Sequence, residues 1–592
     1  MSFNRYFVEE LTALRELSRE FSERNPSLAP FLGTVGRDPD VERLFEGFAF
    51  LTGRLWQKLD DELPEITHGL FNLLWPNFLR PIPACSVIKY MPTANTSVGS
   101  RIKKGTLVES DPVDGTRCRF RTIYDVDVHP MELTGLSFST DRGRAIMRLT
   151  ISLLSSSPEN LALSSLPLFL NGEHSVVHTL YYYLVRKVLS VAVIVPDAAS
   201  REHTLAELGP EAIRPMGFSD DAILFPYPPN SFPGFRLLQE YFCFPEKFHF
   251  VNISGLKDAF NKKNTAKIGE TRKEFYLQFT MTDLPPGFES CNIKNINLFC
   301  TPVVNLFPKS STPLSFDHRQ NEYRIVPDPA KPYSFSTHSV EKVQSWTGAA
   351  EGIREYRPFE SFEHVGRGER NSSYYRLRVK PAVKDDSIET WISVVHPNAT
   401  RQELETIETI SMELTCSNRL LPMKLGAGDI RLIVDREGKG VDFKNITHVT
   451  PPYMPPLEGD SLWKLLSNMS LNYIPLTNIH ALRSILMTYD FRALHDSRRA
   501  KALEQSLRGM ISIEMEETDR IFRGLPLRGA RTTLVLNQKN FSCEGDMYLF
   551  ASILNEFLAQ YATVNSFHQF TVHEEKSGAV YDWPARLGAG EL

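Results

Sequence analysis

Cysteine is scarce and scattered: seven residues, at positions 85, 118, 243, 291, 300, 416 and 543, with no CxxC among them. An odd count without paired spacing argues against a disulfide framework and against a zinc knuckle, so the thiols read as reduced and mostly buried. A surplus of positive charge is missing too. Lys and Arg total 66 against 71 Asp and Glu, which leaves −5 and no general basic field to recruit nucleic acid or anionic lipid. Long apolar runs are absent. The nearest, Val176 to Val195, is broken by Arg186 and Lys187 and turns β-branched, so it reads as a helix running into a strand. The opening MSFNRYFVEELTALRELSRE carries charge throughout and has no secretory h-region. Together these absences predict a soluble, cytoplasmic protein.

Local signatures of chemistry are equally thin. There is no GxxxxGK[ST] phosphate loop, and Leu425-Gly426-Ala427-Gly428-Asp429 reads as a turn. His174 and His178 stand four apart in HSVVH, without the Glu that a metalloprotease base needs. Asp111, Asp114, Asp125 and Asp127 lack EF-hand spacing, and no GxSxG nucleophile elbow occurs. Arg520, Arg523, Arg528 and Arg531 surround a Gly-containing loop, where local ion pairs are the expected use. No catalytic residue, cofactor site or metal site is assigned. A carboxylate pair assembled from distant residues leaves no trace in sequence, so a cytoplasmic β-rich enzyme stands as the alternative to a scaffold.

What the chain has is aromatic residues, 38 of them Phe, in a length too great for one core. The densest stretch is GFRLLQEYFCFPEKFHFVNISGL, Gly234 to Leu256. Leu237, Leu238, Tyr241 and Phe242 recur at helical spacing, Pro245 breaks the period, and alternation follows, so the segment predicts a short helix, a break and a strand. It shows no pair of groups suited to chemistry. Tyr241, Phe244 and Phe248 are expected to be buried within one chain, between the two β-rich regions.

Patterning divides the chain into four parts, 1–85, 86–233, 234–449 and 450–592. In the first, Phe3, Phe7, Leu11, Leu14 and Phe21 keep a helical period. A second helix starts at Asp38-Pro39-Asp40 and presents Val41, Leu44, Phe45, Phe48, Leu51, Leu55 and Leu59, a stripe wide enough for more than one neighbour. A third, from Pro64, carries Ile66, Leu70, Leu73 and Leu74. The second and third parts are dominated by short strands with Gly, Pro and Asp turns. Thr450 to Pro456, TPPYMPP, reads as a stiff linker to a compact terminal part of helices and strands, a separable interaction module. The fold class predicted is multidomain α+β: an N-terminal helical bundle segment, β-rich middle domains and a C-terminal α+β domain.

Several long motifs occur in one order: RDPDVERLFEGFAFLTGRLWQKLDDELPE (37–65), LLWPNFLRPIP (73–83), the aromatic stretch above, CTPVVNLFPKSSTPL (300–314), TCSNRLLP (415–422), SLNYIPL (470–476), NSFHQF (565–570) and WPARLG (583–588). In these the chain resembles, from end to end, the TssF family (also called VasA or ImpG) of type VI secretion baseplate components. Ala585 departs from the pattern, where the family more often has a second proline. The resemblance implies a scaffold without catalysis, similar to wedge proteins of contractile phage baseplates. It implies a wedge of two TssF and one TssG, with TssK, TssE, the sheath and the VgrG spike docked around it, and a ring in the cytoplasm held at the inner membrane by other proteins. The stripe Val41 to Leu59 is then the expected contact with TssG and the second TssF.

Overall fold

The computed structural model describes residues 2–24, 39–62, 64–93, 100–154, 161, 163–228, 231–260, 273–317, 319–346, 353–360, 373–395, 408–433, 441–457, 478–522 and 524–588. The chain is a mixed α+β protein whose contacts cluster into two units. The smaller comprises 1–79, 360–362 and 456–470, the larger the rest.

In the smaller unit, α1 (Ser2–Arg24) and α2 (Pro39–Glu62) form an antiparallel hairpin. Pro at the first helical position and Asp40 and Glu42 in the first turn start α2 where the predicted signals place it; the Asp38 cap and the Ile66 side chain lie outside the described residues. Close approach is possible because Gly53 has no side chain. A Cβ there would come within 3.2 Å of the Phe7 backbone. Ala49 is fully buried, and Arg15 Nη2 donates to Glu42 Oε2 at 2.9 Å further along. In α3 (Pro64–Leu74) the buried side is not the Leu70 and Leu74 face but Phe71, followed by Trp75 and Phe78. Phe71 and Phe78 stack with centroids 5.3 Å apart, and the bulk of aromatic rings outweighs the leucine period.

The larger unit is built on antiparallel sheets. A six-stranded sheet takes Ile430–Ile433, Leu107–Val113, Thr116–Thr122, Cys300–Val304, Cys85–Pro92 and Val441–Asn445 in that order. A five-stranded sheet runs Glu202–Leu208, Val188–Pro196, Glu274–Met281, Arg144–Leu153, Met131–Asp141, and a four-stranded one joins Ile213–Pro215, Phe250–Ser254, Ser165–Leu170 and Ile296–Leu298. All three draw strands from both sides of position 233. An eight-stranded sheet lies between 307 and 417, around a core that includes Phe307, Phe316, Val343 and Ile410.

Thr450 to Pro455 is not a free linker. Tyr453 and Ile82 exchange backbone hydrogen bonds at 2.8 and 3.0 Å, and the Thr450 N–H donates to the Cys85 carbonyl at 2.8 Å. Beyond it come α6 (Ile479–Tyr489), α7 (Phe491–His495) and α8 (Ser497–Arg508), numbered after α4 (His174–Tyr182) and α5 (Pro233–Cys243). The expected helix at 461–471 lies outside the described residues. A long hairpin, Met510–Phe522 with Leu525–Leu536, replaces the expected shorter strands and loop. Then α9 (Glu544–Ala559) crosses over to Phe567–Glu574, which pairs parallel with Leu525–Leu536. A parallel neighbour requires such a crossover.

The aromatic stretch is α5, a single turn at Pro245–Phe248 and the strand Phe250–Ser254, as its period change predicts. Tyr241, Phe244 and Phe248 are buried within the single chain. Their surroundings are wider than expected, because α5 also packs on the C-terminal part. Phe235 stacks on Tyr489 of α6 at 5.0 Å, and Tyr241 faces Phe550 of α9 at 6.3 Å. On the other side Phe250 meets Phe169 at 4.6 Å and Tyr124 at 5.2 Å. The terminal part therefore docks on α4 and α5 instead of standing as a separable module.

Candidate functional site

The predicted stripe on α2 divides in two. Ala49 and Gly53, with half-buried Val41 and Phe45, lie on the side that approaches α1. Leu44, Phe48, Leu51 and Leu55 turn outward and are 70%, 56%, 62% and 61% exposed. Leu59 belongs to α2, but its side chain lies outside the described residues. From α1, Val8, Leu17 and Phe21 are exposed as well. Large apolar side chains left in water make covering this face favourable. Full burial of each outward α2 side chain would gain about 1.5–3 kcal/mol. Sequence periodicity finds the stripe; it cannot say which edge the neighbouring helix already covers.

Elsewhere sequence reasoning overlooked buried charge. The aromatic stretch does contain a reactive-looking pair: the Lys247 ammonium donates to the Glu240 carboxylate, both side chains fully enclosed. Glu240 Oε1 also accepts the Leu224 and Phe225 N–H groups at 2.8 and 3.1 Å, and Tyr124 Oη donates to the Lys247 carbonyl at 3.2 Å. Burial pulls Lys247 below the ordinary lysine range, and Glu240 opposes it. Through these bonds the pair staples the segment around 224 to α5. The spacing of seven across a proline turn gave no signal.

His178 of HSVVH meets His249 with their Nε2 atoms 3.2 Å apart, and its Nδ1 is 3.4 Å from Asp546 of α9. Burial lowers His178 to about 4 and His249 well below the usual histidine range. Two neutral rings can share one N–H between them, so the contact is satisfied as packing. Among the described residues no group of three His, Cys, Asp or Glu side chains could hold a metal ion.

The open face of the C-terminal sheet forms a groove of about 580 Å³ lined by Glu516, Arg531, Thr533, Gln569, Thr571, His573, Asp582 and Trp583, among others. Glu516 and Asp582 sit on the first and fourth strands of that sheet. Three interstrand spacings put about 14 Å between them. Of the nearby arginines, Arg531 Nε bonds Gln569 at 3.3 Å and Arg528 pairs with Glu517, the local use expected, while Arg523 lies outside the described residues. No helix among the described residues is long and apolar enough to cross a membrane.

Known proteins match along nearly the whole chain. The family described as "Type VI secretion system, TssF" matches residues 1–590. "Type VI secretion system component TssF1" of Pseudomonas aeruginosa is 30% identical over 632 aligned positions, covering 99% of this chain and 98% of that protein. A chain of the type VI TssK-TssF-TssG baseplate subcomplex, solved by cryo-electron microscopy, superposes with TM-score 0.75 at 29% identity, covering 93% of this chain and 99% of the other. A chain of a type VI baseplate complex gives TM-score 0.65 at 25% identity, with 98% and 99% covered. These likenesses lend no support to the enzyme alternative.

Proposed function

The chain belongs to the TssF family of the type VI secretion system and is a component of its baseplate, and we propose that it acts as a scaffold through the outward face of its N-terminal helices. Leu44, Phe48, Leu51 and Leu55 dock TssG and the second TssF copy, two TssF to one TssG, in a shared helical bundle. The observation that carries this reading is a row of four large apolar side chains, each more than half exposed, on a helix whose other edge is already closed by α1. TssK belongs to the same assembly, as it does in the similar complex. TssE, the sheath and the VgrG spike dock on the rigid sheets of the larger unit. The wedge ring works in the cytoplasm, held to the inner membrane by other proteins. Its role is to position partners, with no catalysis.

Phe48→Asp tests the docking face. Because Phe48 is exposed in the single chain, the new charge meets water and the fold survives, whereas in a bundle core it would cost several kcal/mol. Co-expression with TssG should yield separate proteins in place of a co-purifying complex, with unchanged circular dichroism. An intact complex from this variant would remove the face from the interface.

A further inference from the structure

His178 and His249 meet head on. Their Nε2 atoms are 3.2 Å apart, a separation that takes one N–H and one lone pair. Each residue is 4% exposed. His174, one turn earlier on α4, is exposed and stands edge-on to both, its centroid 5.0 Å from His178 and 6.3 Å from His249. Three elements join here. α4 carries His174 and His178, His249 follows the turn Pro245–Phe248, and the start of α9 lies over them. α9 comes so close that a Cβ on Gly545 would stand 2.0 Å from the His178 carbonyl oxygen. Enclosed in this way, the two rings have little room to turn apart.

The charges around the pair offer it little compensation. On α9, Asp546 Oδ1 lies 3.4 Å from His178 Nδ1 without a hydrogen bond, and Oδ2 accepts the Ser542 N–H and hydroxyl at 3.1 and 2.9 Å. On α8, Arg499 also bears on His178, while its Nε donates to Asp490 at 3.2 Å. In the turn, Lys247 is committed to Glu240 of α5. The neighbours that bear on His249 are the other two histidines, and both disfavour a charge on it. His568, on the sheet beneath α9, is held within that sheet by Thr532 Oγ1 at 3.0 Å. A first proton on His178 therefore faces Asp546. A second, on His249, sets two N–H groups against each other with no acceptor between them.

We propose that His178 and His249 make the junction of α4 and α9 an acid-sensitive latch, closed while a single N–H lies between the two rings and released when both Nε2 atoms are protonated. The sign follows from burial, which lowers both rings in the folded chain. Exposed histidines titrate near about 6.5, so the latch is at full strength above that value and weakens as pH falls below it.

Amide hydrogen exchange of the full chain, corrected for the intrinsic effect of pH, tests this between about pH 7.5 and about pH 5.5. The readout is α4, whose nine residues are too few to hold a helix once uncovered. Each ring exposed by opening should raise the open population about tenfold over that range, and the pair about a hundredfold. The strand Glu274–Met281, which carries no histidine, should keep its protection. His249→Gln still presents an N–H to His178 but removes one titration, so the rise should shrink to about tenfold. His178→Gln should have the same effect from the other side, and His573→Gln, on the open face of the C-terminal sheet, should keep the parent's full rise. Because the slope with pH is read, an overall loss of stability in a variant does not imitate the effect. The latch is overturned if protection in α4 does not change with pH, if both variants keep the parent's rise, or if Glu274–Met281 loses protection equally, as general acid unfolding would require.

Discussion

Glu240 and Lys247 show what one pair of residues decides. Each charge alone would be expelled from so closed a site. Together, with two backbone N–H groups completing the carboxylate's shell, they persist. Removing one partner is therefore worse than removing both. Lys247→Met leaves a buried carboxylate and should cost about 3–5 kcal/mol. Glu240→Gln with Lys247→Met keeps the backbone bonds and removes both charges, so most of that loss returns. Unfolding midpoints of the two variants against the parent measure the difference. Equal destabilisation by the single and double changes would show that the ion pair matters less than the packing of Lys247's stem.

At the scale of elements, contact distance governs. The N-terminus of α9 lies against α4 so closely that a Cβ at Gly545 would stand 2.0 Å from the His178 carbonyl oxygen. Neither helix backbone can yield as a side chain would, so Gly545→Ala must push them apart. Overpacking of this kind costs about 1–3 kcal/mol. The expected result is a lower melting temperature and faster hydrogen exchange in both helices, while Gly545→Ala with native exchange in α4 would mean that α9 shifts freely. This necessity is invisible in sequence, where Glu544-Gly545-Asp546 is only a plausible helix start. The elements that were legible are those whose signal is local. The change of period at Pro245, Pro39 at the head of α2 and the run from helix to strand after His174 each reappear in the fold. Partners were not legible, because pairing is set by distant strands: Cys85 lies opposite Val304, and Ile88 opposite Asn445. For the same reason the stripe on α2 could be found in sequence, while its division by Gly53 could not.

For the whole molecule, the question is whether the C-terminal part stands alone. A proline-dense segment between two changes of pattern suggested that it does. The hydrogen bonds between 82–85 and 450–453 tie that segment down instead, and α9 fills the space between α4 and α5 with Phe550 and Phe557. Truncation after Pro455 would strip the cover from Tyr241, Tyr181 and Phe235, each a large ring now enclosed by the terminal helices or adjoining them. Such a fragment should be insoluble or bind a hydrophobic dye strongly, and the excised residues 456–592 should lack a cooperative melt, since α9 would lose its own apolar cover. Two fragments that each fold, give sharp thermal transitions and resist protease would establish the separable module after all. The expected failure of both carries a mechanical consequence: a load applied to the C-terminal sheet passes through α9 and α5 into the sheets they pack on. A scaffold that must hold several partners in fixed register gains from that continuity, and this places any flexibility needed during assembly outside the path from α5 to α9.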